Sequence, residues 1–334
     1  MTYLGEKPKV LITGIAGYIA SHAALAFLEA GWDVIGIDNL SVGRQGAIPD
    51  GVSFHQLDCR SPDVVHLAKS EGVDVAMHFA GLIRVDESVS DPMMYYDNNV
   101  AAAAKFFDSA TMAGIKGIVF SSTAAVYAEP GRAPVDERYQ TAPASPYGRS
   151  KLATEWILRD HCLAAEPRHV TLRYFNVAGA DPDLRAGPRP DAHHLIKIVS
   201  EAAVGLRDHV QIFGNDYDTP DGTCIRDFIH VSDLADAHVA AAQYLLNDGD
   251  STTLNCGYGQ GLSVSDVVNA ARRIADRPIE AVISPRRAGD LISVVADSQR
   301  LRQLLGWTPK HNDLATILRT SIAWERKLQS DIEI

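Results

Sequence analysis

Cysteine is scarce: Cys59, Cys162, Cys224 and Cys256 are the only four in 334 residues, and no two form a CxxC pair. That spacing excludes a disulfide framework or a zinc cluster, no metal is expected, and the four read as small buried thiols in a reducing, cytoplasmic setting. No apolar run reaches the ~18 residues of a membrane span, and the N-terminal MTYLGEKPK lacks the apolar core of an export signal, so no membrane association is expected. Basic charge is also short. With 31 Lys and Arg against 42 Asp and Glu, the formal net charge is −11 and the pI near 5.5, which excludes a broad nucleic-acid surface. A few local arginines and helix N-termini can still hold an anionic small molecule. Internal repeats and low-complexity tails are absent.

What is present is ordinary in amount and specific in arrangement. Apolar residues at 46% and charged residues at 22% suit a soluble globular enzyme, built as one extended α/β domain or two unequal ones. Lys9 to Thr13 reads as a buried strand that runs into Gly14-Ile15-Ala16-Gly17-Tyr18-Ile19-Ala20, and Ser21 to Glu29 reads as a helix. Strand, glycine turn and helix in this order make a dinucleotide fingerprint, because Gly14 and Gly17 let the backbone approach a pyrophosphate seated on the helix N-terminus. Ala20 stands where a third glycine is usual, a position that needs only close helix–strand packing. Asp33 to Asp38 is a second strand whose closing acid lies about 20 residues after the glycines. It can hold the adenosine ribose hydroxyls and disfavour a 2′-phosphate, which selects NAD over NADP.

Leu57-Asp58-Cys59 closes a third strand, near the adenine, and Val75 to Gly81 a fourth that faces the middle of the cofactor. Pro92 to Ala113 is a long helical stretch, Lys116 to Ser122 a fifth strand and His169 to Asn176 a sixth. Continuous apolar strands alternating with helices call for a parallel sheet covered on both faces, a Rossmann-type doubly wound α/β fold. Ser122-Thr123 then falls at the carboxyl end of that sheet, where such folds bind ligands, and reads equally as a turn cap or a catalytic hydroxyl. Ser145-Pro146 reads as an N-cap followed by proline at the first helical position, so Tyr147 opens a helix and Lys151 shares its face. A cation so placed can lower a phenol's pKa by about 1 to 3 units, towards use as a general base. The spacing alone also fits a solvated turn of helix with one aromatic tucked inward.

Ala178 to Asp191, rich in Gly, Pro, Asp and Arg, is an exposed loop where the chain leaves the sheet. Beyond it come a helix from His194 to Leu206, a strand Val210 to Phe213, the segment Arg226 to Val231, a helix Ser232 to Leu246 and a strand Thr252 to Asn255 returning to the main sheet. A smaller α/β region follows Ser263.

The stretches GIAGYIAS (14–21), DNLSVGR (38–44), HFAGLIRVDESV (78–89), YYDNNV (95–100), SSTAAVY (121–127), SPYGRSK (145–151), RYFNVAGADP (173–182), FGNDYDTPDGTCIRDFIHVSDLADAH (213–238) and RRAGD (286–290) resemble the UDP-glucose 4-epimerase family of extended short-chain dehydrogenases/reductases. The likeness runs from Lys9 to about Trp307. It implies a bound NAD recycled within each turnover, with Tyr147 taking the proton of the sugar 4-hydroxyl directly or through Thr123, and Lys151 holding the nicotinamide ribose. Tyr18, Ile19, Asp38 and Asn39 are implied to line the NAD, as are Asp58, Cys59, Phe79, Ala80, Gly81, Asn98 and Phe175. Asn176, Leu195, Phe213, Arg226, Arg287 and Asp290 are implied to hold the UDP-sugar, the arginines facing the diphosphate and Asp290 a uridine ribose hydroxyl. Without the resemblance each arginine reads as a surface charge. Residues 1–176, with 230–260 returning to them, become the NAD-binding domain, and 177–229 with 261–334 the UDP-sugar-binding domain.

Four residues at three sites depart from the best-known bacterial pattern. His193-His194 replaces an Asn-Asn pair before Leu195, Ile83 replaces a lysine near the cofactor, and Val294 stands where some members close the pocket with tyrosine. Valine's smaller volume suggests tolerance of N-acetylated UDP-hexosamines. Nucleotide-sugar dehydratases share the fold but place an Asp-Glu couple after the threonine; here Ala124 and Ala125 follow Thr123 and cannot move a proton. A 4-epimerase of UDP-xylose or UDP-galacturonate and a non-turning NAD sensor are the remaining rivals. The resemblance also implies a homodimer through helices around Asp97 to Ala113 and Leu152 to Ala165, whose faces (Ala103, Ala104, Phe107; Ala153, Trp156, Ile157) equally suit the protein's own core.

Overall fold

Apolar strands that bury both faces need partners on both sides, and the chain supplies them by alternating strand and helix. The computed structural model describes residues 7–332 apart from 130, 132–133 and 288–289. The first six residues and the Ala288-Gly289 centre of the RRAGD stretch thus lie outside the described residues. In chain order the strands are β1 (Lys9–Thr13), β2 (Asp33–Asp38), β3 (Ser53–Gln56), β4 (Val75–His78), β5 (Gly117–Thr123), β6 (Arg168–Tyr174), β7 (Asn176–Ala178), β8 (His209–Phe213), β9 (Ile225–His230), β10 (Thr252–Cys256), β11 (Gly261–Ser263), β12 (Glu280–Ser284) and β13 (Ser293–Val294).

Seven of them form one parallel sheet in the order β10-β6-β5-β4-β1-β2-β3, a Rossmann-type doubly wound arrangement. Along β1, Val10 and Ile12 enter one core and Leu11 the other, all fully buried. Along β5, Val119 points to the first core, and Ile118 and Phe120 to the second. This alternation is the period-two geometry of a strand with helices on both sides. Burying each such side chain stabilises by about 1.5–3 kcal/mol. The order reverses between β1 and β4, so their carboxyl ends open a crevice.

Outside the sheet, β9 is the centre of a second, smaller sheet. It pairs with β7 and β13 in parallel and with β11 antiparallel, while β8 and β12 pair separately. Several boundaries differ from the expectations, and the first helix starts at Tyr18, three residues before Ser21. β3 ends at Gln56, so Leu57-Asp58-Cys59 lies beyond it in a turn closed by Arg60 N on Asp58 Oδ1 (2.9 Å). β4 ends at His78, which leaves Phe79 to Gly81 in the following loop. The sixth strand stops at Tyr174, and Asn176–Ala178 crosses to pair with β9. The long helix over 92–113 is broken at Asp97–Ala101 by a π-turn, where buried Asn99 turns inward to bond Leu82 and Ser150.

Four fully buried histidines, His22, His78, His230 and His238, border the carboxyl edge of the sheet and its neighbours. Burial pushes His22 and His238 down to about 4 and His78 and His230 to about 3, so all are neutral in the fold. Their folded pKa values lie below the unfolded 6.5, so the unfolded chain binds more protons as pH falls through that window. Stability should therefore be fully present above pH 6.5 and decline as pH drops towards 4, at up to about 1.4 kcal/mol per pH unit for each histidine. Urea unfolding at stepped pH checks this, and a flat profile from pH 7 to 5 contradicts it.

Candidate active site

The cradle at the β1–β4 crevice is shaped by what cannot fit there. Gly14 has φ +69°, and a Cβ on it would lie 2.8 Å from Ala80 N, so only glycine suits this turn. Gly17 caps the Tyr18–Glu29 helix in an extended conformation without a side-chain cap, leaving that end to an outside acceptor. Asp38 closes β2 beside the turn, its Oδ2 accepting from Ala16 N (3.1 Å) and its Oδ1 from Leu40 N (2.8 Å). Asn39 Nδ2 donates to Asp58 Oδ2 (2.9 Å), and Arg60 binds Asp58 and reaches Asp97 (3.1 Å). The Arg60 hydrogen bond leads in holding Asp58 down to about 2, whereas burial pushes the Cys59 thiol up to about 12 and keeps it protonated.

On the β4 side, Ala80 N donates to Thr13 Oγ1 (3.2 Å), which itself pairs with His78 Nδ1 (2.9 Å). Phe79 packs on His238, with ring centroids 4.7 Å apart. A Cβ at Gly81 would fall 3.0 Å from Asn99 Oδ1 and 3.5 Å from Lys151 Nζ, so this glycine lets the next helices close in. Ile19 and Asn98 are half-buried. The bare glycine turn, the free helix end and the acid closing β2 together fit the pyrophosphate and adenosine ribose of NAD.

Tyr147 arrives from the opposite side. Ser145 caps the Pro146–Ala164 helix by accepting from Gly148 N (3.1 Å), with Pro146 in its first turn as the sequence predicts. A Cβ at Gly148 would lie 2.4 Å from Ala125 O, so the helix start rests directly on the turn after β5. That contact brings Tyr147 to Thr123, whose side chain hydrogen-bonds the phenol and also accepts from Ala125 N (3.1 Å). Lys151, 3% exposed, donates from Nζ to Ser121 O (2.9 Å).

The electrostatics differ from the expectation of a phenol acidified by Lys151. Burial raises the Tyr147 pKa above its ordinary value, with only the Thr123 hydrogen bond opposing it. Burial likewise lowers Lys151 to about 8 against the support of Glu155. The ammonium spends its hydrogen bond on the Ser121 carbonyl, and desolvation dominates both groups. The protein alone therefore keeps Tyr147 protonated at neutral pH.

The remaining predicted residues gather around the smaller sheet. His194 caps the Leu195–Val204 helix by accepting from Lys197 N (3.3 Å) and stacks on Tyr18. Tyr18 in turn donates to Gly179 O (2.7 Å). Asn176 is exposed at the start of β7, and Arg287 lies over the Phe213 ring at 4.5 Å. Arg226 Nη1 donates to Ile225 O and Leu291 O, both at 2.8 Å, while Arg287 Nε meets Asp290 Oδ2 at 3.0 Å and Arg226 Nη2 approaches Asp290 at 3.8 Å. Both arginines thus converge on Asp290, where the resemblance implied separate partners. Phe175 and Val294, 7% and 8% exposed, pack together with Val126 and Leu152.

Three participants went unread in the sequence. Asn99 is one residue from the predicted Asn98, and only the π-turn points it inward. Arg286 stacks on Tyr217 at 4.0 Å beside the expected Arg287. Glu155, four residues after Lys151, had helical spacing as a signal that it shares the Lys151 face.

A glycine cradle for a dinucleotide, facing a tyrosine, a lysine and a hydroxyl at the carboxyl edge of a Rossmann sheet, is the arrangement of a nucleotide-dependent enzyme that oxidises and reduces alcohols. The pattern of the NAD dependent epimerase/dehydratase family matches residues 10–257, and the chain belongs to that family. It is 49% identical to the UDP-glucose 4-epimerase of Azospirillum brasilense over 328 residues, covering 98% of this chain and 94% of the relative. The UDP-glucose 4-epimerase of Stenotrophomonas maltophila, solved with NAD and formylated UDP-arabinopyranose, superposes with a TM-score of 0.93 at 36% identity, over 97% of this chain and 99% of the other. The UDP-Glc/GlcNAc 4-epimerase of Campylobacter jejuni does so at 0.83 and 42% identity, over 96% and 99%.

Gly148→Ala should force the helix start off the 124–126 turn, costing about 1–3 kcal/mol in urea unfolding. Because Tyr147 moves with that helix start, turnover should fall more than substrate affinity; an unchanged turnover number would contradict the contact's role.

Proposed function

We propose that the protein is an NAD-dependent UDP-glucose 4-epimerase, inverting carbon 4 of UDP-glucose and UDP-galactose in the cytoplasm. The observation that carries this reading is the meeting of Tyr147, Thr123 and Lys151 beside a cradle that fits NAD, with alanines at 124 and 125 that leave no group for dehydration. Gly14, Gly17, Tyr18, Ile19 and Asp38 hold the pyrophosphate and adenosine end, Asn39, Asp58 and Cys59 border the adenine, and Phe79 to Gly81, Asn98 and Phe175 line the nicotinamide side. Bound NAD supplies a cationic ring that accepts the hydride from sugar carbon 4 and later returns it.

The chain's own residues move the proton. Tyr147, raised by burial, becomes a base only when a positive charge stands beside it, and reverts to an acid when that charge is lost. It therefore takes the proton of the 4-hydroxyl, directly or through Thr123, and gives it back to the 4-keto sugar. Lys151 holds the nicotinamide ribose. Arg226 and Arg287 bind the diphosphate in competition with Asp290, which turns to a uridine ribose hydroxyl, and Asn176, His194, Leu195 and Phe213 border the same nucleotide. Holding only the nucleotide end leaves the sugar free to present either face. Residues 1–176 with 230–260 form the NAD-binding domain in this reading, and 177–229 with 261–334 the UDP-sugar-binding domain.

The small Val294 side chain supports acceptance of N-acetylated UDP-hexosamines, and the Campylobacter jejuni neighbour is named for both glucose and N-acetylglucosamine substrates. For the homodimer, Trp156 at 51% exposure beside Leu152, Ala153, Pro143 and Tyr96 supports contact through the Pro146–Ala164 helix. Ala103 and Phe107 are buried in the protein's own core and are not available for it.

Purified protein given UDP-galactose, UDP-N-acetylgalactosamine, UDP-xylose or UDP-galacturonate without added NAD should form the 4-epimer of the first two, and no UDP-glucose from UDP-galactose would end the proposal. Tyr147→Phe should keep NAD and UDP-sugar binding yet lose about 10²–10⁴-fold in turnover, and Val294→Tyr should lower the N-acetylated rate alone. Sedimentation at micromolar protein should give a dimer that Trp156→Arg dissociates; a monomeric parent protein would remove the dimer.

A further inference from the structure

Glu155 is buried, 7% exposed, one helical turn beyond Lys151, and its carboxylate has no part in the chemistry described so far. It accepts from Ser122 Oγ of β5 and from Arg173 of β6, whose Nε lies 3.0 Å from Oε1 and Nη2 2.6 Å from Oε2. Arg173, also 7% exposed, donates from Nη1 to Tyr127 Oη (3.0 Å), which donates to Asn255 Oδ1 (2.6 Å). Asn255 Nδ2 then reaches Val135 O (2.7 Å), and Val135 pairs with the 295–297 segment that follows Val294. One buried polar chain therefore starts at Ser122, the neighbour of Thr123, passes under the Tyr147–Lys151 turn and ends beside the Val294 wall. A forked pair satisfies both charges, whereas either one alone would be buried uncompensated.

We propose that Glu155 is a positioning residue for proton transfer: joined to Arg173, it holds Ser122-Thr123 in register with Tyr147 and keeps the charge beneath the Tyr147–Lys151 turn at zero. The inference rests on the epimerase reading above. The titratable and charged neighbours are Lys151 on the same helix, Arg173 on β6 and Tyr127 after β5, with Glu137 beyond it. Tyr147 itself faces Thr123, Tyr174 and, edge-on at 6.4 Å between ring centroids, Tyr95, which donates to Glu87 Oε2 (2.7 Å), and Lys151 faces His78.

The signs are fixed by Coulomb's law. Glu155→Gln keeps the shape and an acceptor for Ser122 but leaves Arg173 uncompensated. The added positive potential favours phenolate at Tyr147 and disfavours ammonium at Lys151, so both limbs of the kcat/KM pH profile should move down by about half a unit to one unit. Arg173→Met leaves the carboxylate uncompensated and should move both limbs up. The double variant restores neutrality and should restore the parent limbs. For Glu155→Gln, kcat should fall about tenfold with KM within about twofold.

The pair can be read without turnover as well, from the phenolate absorbance of NAD-loaded protein titrated against the matching Tyr147→Phe background. Each single variant is decisive alone, so loss of one to misfolding leaves the other. Unmoved limbs, movement of both single variants in one direction, or a displaced double variant would reduce Glu155 to a clamp and overturn the proposal. A parent protein that fails to epimerise while its phenolate titration shifts as stated would overturn the epimerase reading and leave this one standing.

Discussion

Seven strands that run the same way must end on the same edge, and that constraint governs the rest of the molecule. A parallel sheet needs a crossover between every pair of strands, and here most crossovers carry helices packed on both faces, while β2 and β3 are joined by residues 39–52 with a single short 3-10 turn. Every helix that enters the sheet from its carboxyl edge does so close to every other. The turn at Gly14, the loop at Ala80, the hydroxyls after β5 and the start of the Tyr147 helix therefore crowd one crevice. Two glycines show how tight that crowding is. Gly14 meets the backbone of Ala80, and Gly148 meets the backbone of Ala125, at distances that a methyl group could not share.

Crowding has an electrostatic consequence. Groups taken out of water lose the stabilisation of their charged forms, so burial raises Tyr147 and lowers Lys151 in the protein by itself. A site biased towards neutral phenol responds strongly to any charge brought beside it, which suits the alternation between base and acid proposed for Tyr147. The nearby Glu155 and Arg173 are the exception to this bias towards neutrality. They remain a charged pair because their forked hydrogen bonds replace the water each has lost.

The proposed nucleotide end follows different rules. Arg226, Arg287 and Asp290 lie on or beside the smaller sheet and are more open to solvent, Arg287 at 62% of its side chain. The Arg287–Asp290 pairing is open to solvent on the arginine side, where screening makes an ion pair worth little.

Much of the fold was legible in the residues: the β1 strand, the glycine turn, Asp38 at the close of β2, and the Ser145-Pro146 start of the Tyr147 helix all depend on local preferences. Boundaries were misread where the chain changes partners, as at Tyr174, where the strand ends because the next residues pair with β9. The role proposed for Arg226 rests on the resemblance of the C-terminal stretches, since nothing local distinguishes it from a surface arginine. By itself the sequence determined the dinucleotide turn and the shared face of Tyr147 and Lys151, because each is set by residues within a few positions of one another, and it implied the parallel sheet through the alternation of apolar strands with helices. Only the tertiary structure decided that Lys151 bonds Ser121, that Asp290 gathers both arginines, and that Glu155 meets Arg173 and Ser122. Apart from the local Arg287–Asp290 pair, those contacts join residues from 18 to 64 positions apart, and their energies depend on burial, which no short stretch of sequence contains.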